Sequence, residues 1–222
     1  MASWAGSTAN DNLHFDISKL RQWETAFAYT QRRGIHLNFV LNEAEEANKR
    51  ELDDGVMGVE RKLFYREMVA RFGHHNALQW NISEEYDLAY PISPNNVKAF
   101  AGYIQQLDPY DHPLTVHNAA DPDIAWTPFL GDSRFSLTSF QYWRSVAGYG
   151  AEVEEWRRKT ASAGRPLPIS MDELATITTT NAMSSARRSS GRPTSLVANW
   201  NGSSRRRTGA WRTLGAIKGI TR

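Results

Sequence analysis

Short apolar segments alternate along the chain with segments of helical periodicity, and this alternation restricts the possible folds more than any other feature of the sequence. Apolar segments of this length, bounded by polar residues and Gly or Pro, are typical of strands. Strands that alternate with helices form a parallel sheet covered by helices. The five predicted strands are 35–41, 76–82, 113–118, 135–141 and 166–171.

The intervening segments have recognisable helix ends. Asp16 is a good N-cap for a first helix, and Gly34 is placed to end it. Ser93-Pro94 reads as the N-cap and first-turn proline of a later helix. Further helices are predicted at roughly 58–72 and 144–163, and the segment before the first of these is predicted to be a polar loop.

Polar side chains stand at the carboxyl end of every predicted strand: Asn42 and Glu43, Glu84 and Glu85, His117 and Asn118, Gln141, and Asp172 and Glu173. In a closed α/β barrel these ends meet at one mouth, where barrel active sites lie. The rival is an open doubly wound sheet with a Gly-rich phosphate-binding turn, but neither GxGxxG nor GxxxxGK[ST] occurs. We therefore predict an α/β barrel with parallel strands. At 222 residues the chain is shorter than the ~250 of a complete eight-stranded barrel.

Charge divides the chain into an acidic body and a basic tail. Nine of the 26 Lys and Arg residues and none of the 24 acidic residues lie in 176–222, so the preceding part has a net charge of −7. The tail is rich in Thr, Ser and Gly and lacks apolar periodicity, which predicts disorder. Arginine runs beside Trp200 and Trp211 could also bind nucleic acid.

Several classes of function are disfavoured. The chain has no cysteine, which excludes a disulfide scaffold and thiolate metal sites. The first residues show no signal-peptide pattern, and no apolar run approaches the ~20 residues of a membrane span, so no membrane partner is expected. His74-His75 precede their strand, away from a barrel mouth, and show no HExxH or comparable ligand spacing. We therefore predict no metal site and no cofactor.

Four stretches of the sequence resemble the catalytic barrel of bacterial glycoside hydrolases of clan A, and most closely a group whose members often carry a candidate collagen-binding domain. They lie within roughly 14–175 and read FDISKLRQWETAFAYTQRRGIHLNFVLNEAEE, GVERKLFYREMVARFGHHNALQWNISEEYD, LDPYDHPLTVH and GRPLPISMDEL. The resemblance implies that the five strands are strands three to seven of eight, with the first two upstream of Met1. It also implies secreted or periplasmic relatives, whereas the location and oligomeric state of this chain stay open.

The resemblance further indicates where two catalytic carboxyl groups lie. In clan A barrels the general acid/base ends strand four, usually as Trp-x-x-x-Asn-Glu, and the nucleophile ends strand seven. Here Trp80 is followed by Asn81-Ile82-Ser83-Glu84-Glu85, so Glu85 stands at the acid/base position and Glu84 replaces the asparagine. Glu85 is favoured over Glu84, and Glu173 over Asp172 as nucleophile, with both choices open. Glycoside hydrolysis needs such a pair, one carboxyl to protonate the leaving oxygen and one to attack or to activate water.

Other polar and aromatic residues are candidates for contact with a carbohydrate substrate: Asn81, Glu43, His117, Trp80 and Gln141. Asn81 and His117 could bind sugar hydroxyls, and the rings of Trp80, Tyr86 and Trp143 could stack on a sugar face. The alternative function is a non-catalytic barrel that binds carbohydrate or extracellular matrix.

The basic tail has an explanation other than nucleic-acid binding. Reading the codons of Ile177 to Ile217 one base out of register permits an acidic, aromatic sequence that resembles the strand-eight region of the same family. Trp has a single codon, so the shifted codon after Trp200 must begin with G, in agreement with the Glu of that sequence. We therefore hypothesise a frameshift near 174–176 and expect no nucleic-acid partner. The predicted organisation is an irregular segment at 1–13, a partial glycoside hydrolase-like barrel at 14–175 and an out-of-frame tail at 176–222, and this chain is expected to be inactive.

Overall fold

Helices and short strands alternate throughout the computed structural model, which describes residues 12–142, 148–174 and 195–199. The helices are α1 (Ile17–Arg32), α2 (Glu46–Glu51), α3 (Val59–Phe72), α4 (Pro94–Leu107), α5 (Pro122–Ala125) and α6 (Tyr149–Ser162). The strands are β1 (His36–Val40), β2 (Leu78–Asn81), β3 (Leu114–Thr115), β4 (Gln141–Tyr142), β5 (Glu173–Leu174) and β6 (Ser195–Asn199). Single 3-10 turns lie at Asp53–Gly55 and Thr127–Phe129.

Helices α1, α3 and α4 begin within a residue of the predicted positions, whereas the helix predicted at 144–163 is observed as α6 at Tyr149–Ser162. The Asp16 carboxylate accepts the backbone N–H groups two and three residues later, at 2.9 and 3.2 Å. The Ser93 hydroxyl accepts the N–H of Asn96 at 3.2 Å, and Pro94 occupies the first turn of α4. Gly34 follows α1 with φ = 68°, a left-handed conformation that glycine adopts without strain.

The strands form a parallel sheet, as predicted. Four of them lie side by side in the order β3-β2-β1-β6, and β4 pairs with β5. Every pairing is parallel. A parallel bridge between His117 and Ser139 connects the end of β3 to the segment before β4. The first five strands therefore lie beside one another in chain order.

Several regions differ from the sequence-based expectation, among them the predicted strand 113–118, of which only the two-residue β3 forms. The polar loop before α3 contains α2, and the strands predicted at 135–141 and 166–171 are replaced by the two-residue strands β4 and β5. The carbonyl of Phe140 accepts the N–H groups of both Asp172 (3.0 Å) and Glu173 (3.2 Å), so two residues oppose one, as in a bulge, and the ladder is interrupted. Within the predicted disordered tail the structure has β6 beside β1, while 175–194 and 200–222 lie outside the described residues.

The two faces of the sheet differ in polarity. Leu37 and Phe39 of β1 are in register with Leu78 and Trp80 of β2, and all four are buried. On the opposite face the Gln79 amide donates to the Asn38 side chain at 3.0 Å. Both faces of β1 and β2 are thus covered, as is usual for parallel sheets.

The core lies between the apolar sheet face and the helices. Phe27 of α1, Phe39 of β1 and Phe72 of α3 form an aromatic cluster with ring centroids 5.0 to 5.6 Å apart. Within the described part of the chain, no helix combines the length and apolarity needed to cross a lipid bilayer.

Candidate active site

The loop after β2 carries Glu84 and Glu85 and is bonded through its backbone to the strands on both sides. The Glu84 N–H donates to the carbonyl of Asn42 at the end of β1, at 2.9 Å. The Tyr86 N–H donates to the carbonyl of His117 just after β3, at 3.0 Å, and His117 donates its own N–H back to the loop at 3.0 Å. Both glutamates are therefore held where β1, β2 and β3 end.

A buried lysine donates hydrogen bonds to the backbone of this loop. Glu85 has φ = 39°, which is uncommon for a residue with a side chain. The fully buried ammonium group of Lys49, on α2, donates to the carbonyl of Glu85 at 2.6 Å and also to that of Leu88. Burial lowers the pKa of Lys49 to about 8, and the neighbouring Asp87 carboxylate opposes this effect. Lys49 thus holds the turn that positions the glutamate pair.

His117 connects the end of β3 to the carboxylates at β5. Its Nε2 lies 3.6 Å from Glu173 Oε2, and its Nδ1 lies 3.0 Å from the hydroxyl oxygen of Ser139. The Ser139 hydroxyl donates its proton to Asp172, so it accepts one from His117 Nδ1. Burial alone would lower the pKa of His117, but Glu173, Asp172 and Glu84 together raise it. His117 in turn lowers the pKa of Glu173, which favours the ionised carboxylate.

Gln141, at the start of β4, lies between two of the predicted catalytic residues. Its side-chain amide is buried and donates from Nε2 to Glu85 Oε1 at 2.9 Å. A hydrogen bond from Gln141 also contributes to the lowered pKa of Glu173. The Gln141 side-chain amide therefore contacts a carboxylate of the loop after β2 and the carboxylate at the beginning of β5.

Glu84 and Glu173 have opposite electrostatic surroundings. Burial raises the pKa of Glu84, and the carboxylates of Glu85, Glu173 and Glu45 raise it further, against the opposing effect of His117. The pKa of Glu173 is lowered by its contact with His117. Two carboxyl groups whose pKa values are displaced in opposite directions are suited to act as acid and base in one reaction.

Three buried polar atoms near the strand ends have no hydrogen-bond partner among the described residues. They are Asn118 Oδ1, Gln141 Oε1 and His117 Nε2, the last of which forms an ion pair with Glu173 at 3.6 Å without a hydrogen bond. Buried polar groups are normally hydrogen-bonded, so such atoms are candidates for contacts with a ligand. Together with the carboxylates they supply both donors and acceptors, which suits a ligand rich in hydroxyl groups.

The remaining sequence candidates are placed in different ways. Asn81 is buried, and its side-chain oxygen accepts the Ser83 N–H at 3.3 Å. Trp80 is fully buried on the helix side of the sheet and donates its indole N–H to Asp108 at 2.9 Å.

A stacking role needs an accessible ring face, which Trp80 and the buried Tyr86 lack. Glu43 is half-buried after β1, Asp172 is exposed, and Trp143 lies outside the described residues.

Sequence reasoning missed Lys49 and Ser139. Lys49 lies in the segment that was predicted to be a loop, and the four-residue spacings of Lys49 from Glu45 and of Arg50 from Glu46 were local signs of a helix there. Ser139 contacts His117 and Asp172 across 22 and 33 residues, and no local pattern indicates contacts of that range.

Comparisons with solved structures concern the fold. A candidate glycoside hydrolase of Bacteroides vulgatus aligns at a TM-score of 0.56 and 17% identity, covering 72% of this chain and 29% of its own. A family 5 glycoside hydrolase of the same organism aligns at a TM-score of 0.54 and 15% identity, covering 76% of this chain and 38% of its own. Another glycoside hydrolase aligns at a TM-score of 0.50 and 13% identity, covering 78% of this chain and 40% of its own.

The chain thus spans 29% to 40% of the length of these three neighbours. No family model and no curated protein matches it. At identities this low the similarity concerns the fold, and the fold of this chain is glycoside hydrolase-like.

Proposed function

We propose that the carboxylate cluster at the strand ends hydrolyses glycosidic bonds of a polysaccharide or glycoside by a two-carboxylate mechanism. The observation that carries this proposal is the convergence of carboxylates at the strand ends, where Gln141 Nε2 lies 2.9 Å from Glu85 Oε1 and His117 Nε2 lies 3.6 Å from Glu173 Oε2. The raised pKa of Glu84 and the lowered pKa of Glu173 agree with it. Hydrolysis needs one protonated carboxyl at the leaving oxygen and one ionised carboxylate at the anomeric carbon or its attacking water. The glycoside hydrolase-like fold supports the same class of reaction.

Glu173 is the ionised carboxylate of this mechanism. It lies at the start of β5, 3.6 Å from the imidazole of His117, and receives a hydrogen bond from Gln141. Both contacts stabilise its negative charge. Asp172 is exposed and accepts hydrogen bonds from Ser139 and Ser170, which suits a residue that orients Ser139 and, through it, His117.

The proton donor belongs to the Glu84–Glu85 pair, and its surroundings favour Glu84. Burial and neighbouring carboxylates keep Glu84 protonated to a higher pH. Glu85 instead accepts a hydrogen bond from the Gln141 amide at 2.9 Å. The sequence resemblance favours Glu85, so substitution of each residue in turn is the deciding test.

We also propose that the parallel sheet is part of a (β/α)8 barrel in which β1 to β5 correspond to strands three to seven. The order of these strands along the sheet and the convergence of their carboxyl ends support this assignment. The tail is proposed to be the product of a frameshift, and a collagen-binding domain is expected beside the intact barrel. The genomic DNA on both sides of the reading frame tests both statements, since independent clones with one unbroken frame would contradict the frameshift.

The experiment uses covalent labelling, because we expect this chain, which spans a minority of its neighbours' length, to turn over substrate slowly or not at all. The purified chain is treated with a panel of cyclitol epoxides in the gluco, galacto and manno configurations. In such a probe the general acid protonates the epoxide oxygen while the nucleophile opens the ring to an ester. Mass spectrometry of peptides should find one adduct, on Glu173.

Matched variants assign the roles. Glu173→Gln should abolish the adduct, and Glu84→Gln should slow its formation by about 10²-fold or more, as for loss of a general acid. Glu85→Gln should have the smaller effect. Glu67→Gln, a carboxylate of α3 paired with Arg71, serves as the control and should label like the wild type.

Two results would change the conclusion. Labelling that persists in Glu173→Gln, or that fails with every configuration, would contradict direct attack by Glu173; the second result would leave only the form of the mechanism in which Glu173 activates water. Oligosaccharide binding that is measurable without any labelling would favour the non-catalytic carbohydrate-binding alternative.

A further inference from the structure

A second cluster of chemically capable side chains lies at the opposite end of β2 from the carboxylates. It consists of Glu24 on α1 and of His74 and His75, which follow α3. One oxygen of Glu24 lies 3.2 Å from His74 Nε2, and the other lies 3.2 Å from His75 Nε2. One ligand atom from each residue lies within 4.8 Å of those of the other two.

The hydrogen bonds of His75 determine which of its ring nitrogens carries the proton. His75 Nδ1 lies 3.1 Å from Gln31 Oε1, and the same oxygen accepts the backbone N–H of Asn76 at 3.1 Å. Because a carbonyl oxygen only accepts, Nδ1 must be the donor. In the neutral ring, Nε2 then presents a lone pair to the Glu24 carboxylate.

Two lone pairs at 3.2 Å repel each other unless a proton or another cation lies between them. The side chain of His75 is only 2% exposed. A metal ion between the Glu24 oxygens and the two imidazole nitrogens would remove this repulsion, and the three ligand atoms lie close enough together to share one.

We propose that Glu24, His74 and His75 bind a divalent transition-metal ion, with Zn²⁺ the best match. Two imidazole nitrogens and one carboxylate oxygen are typical Zn²⁺ ligands, at about 2.0–2.2 Å from the ion. Neighbouring ligands of a tetrahedral ion at this distance are about 3.3 Å apart, close to the two 3.2 Å separations measured here. The bond from His75 Nδ1 to Gln31 is the outer contact that usually orients a metal-binding histidine.

The site differs from the sequence-based expectation that His74-His75 bind no metal. That expectation considered ligand spacing along the sequence, whereas Glu24 lies 51 residues before His75. The ion would join α1 to the segment between α3 and β2. Its role is structural, since the carboxylate cluster follows the other end of β2.

Metal titration of the whole chain tests the proposal. After treatment with a chelator, Zn²⁺ should bind in a one-to-one ratio by calorimetry and raise the melting temperature. Co²⁺ should give the strong visible absorption of tetrahedral nitrogen and oxygen ligation. Glu24→Gln and His74→Gln should each weaken Zn²⁺ binding by about tenfold or more. Both side chains are at least 36% exposed, so these variants should fold.

The control is His14→Gln, which removes an exposed histidine outside the cluster and should leave the affinity unchanged. Binding that is absent, that lacks one-to-one saturation, or that survives both Glu24→Gln and His74→Gln would overturn the proposal. A pH result could overturn it as well. If the stability falls as the pH rises through the histidine range and does not change when Zn²⁺ is added, His75 is protonated and paired with Glu24 instead of binding a metal ion. None of these outcomes bears on the labelling of Glu173.

Discussion

Replacing Glu173 by Gln is expected to remove a pH-dependent part of the stability, because Glu173 and His117 stabilise each other's charged forms. Their nearest polar atoms are 3.6 Å apart, with the imidazole buried and the carboxylate 30% exposed. At an effective dielectric constant of about 20, unit charges at this separation attract by roughly 4–5 kcal/mol. Desolvation of both groups opposes much of this attraction, and we expect a net loss of about 1–3 kcal/mol.

The pH range of this effect follows from the two pKa shifts. The pKa of Glu173 is lowered from 4.5, so the stabilisation by its ionised form is present above that value and is lost as the pH falls through the folded-state pKa. The pKa of His117 is raised from 6.5, so the stabilisation by its protonated form is present below that value and is lost as the pH rises through the folded-state pKa. The difference between wild type and Glu173→Gln should therefore be largest between pH 4.5 and 6.5.

Urea unfolding near the middle of this window and again at about pH 8.5 measures the difference in free energy of unfolding. Glu67→Gln is the matched control, since Glu67 pairs with Arg71, whose charge does not change over this range. Its effect should be the same at both pH values. A Glu173→Gln effect that is constant, or that grows as the pH rises, would refute the coupling to His117.

Two further predictions concern the core and the loop support. Phe72→Ala should lower the free energy of unfolding by about 3–5 kcal/mol in urea, because its fully buried ring packs against Phe27 and Phe39; a loss below 1 kcal/mol would contradict this packing. The pKa of Lys49 is lowered from 10.5 to about 8, so the unfolded chain holds more protons between these values and the wild-type stability should rise over that range. Lys49→Met should lack this rise, and an equal rise in both proteins would exclude Lys49 as its source.

Local signals were sufficient for the helices that have an apolar face and for the first two strands. Caps such as Asp16 and Ser93 act within three residues, so the sequence displays them directly. The short helix α2 has no comparable signal. It is fixed from outside by the Arg61 guanidinium, which donates to the carbonyls of Lys49 (3.2 Å) and Leu52 (3.0 Å) at its end. The shortening of β4 and β5 likewise depends on a non-local interaction, the pair of hydrogen bonds that the Phe140 carbonyl accepts from Asp172 and Glu173.

The candidate site was predictable to the extent that parallel strands place their ends together. The positions of Glu84, Glu85, His117, Gln141 and Glu173 follow from that rule, and the structure brings these residues into one cluster. The sequence could not indicate how each carboxyl group is protonated, because burial and long-range neighbours decide it. The Glu24–His74–His75 cluster was missed for the same reason, as two distant segments build it.

Trp80 contributes to the site by fixing the register of strand β2, and not by contact with a sugar. Its indole N–H donates to Asp108 at 2.9 Å and its ring packs against Phe39, which fixes it on the apolar face of β2. Side chains alternate between the two faces of a strand, so a slip of one residue would bury Asn81 among the core aromatics and bring Trp80 to the polar face. The same slip would shift the loop after β2 by one position, so that one of the two glutamates would take the place of the other. By holding β2 in this register, Trp80 therefore helps to place Glu84 in the buried surroundings that raise its pKa.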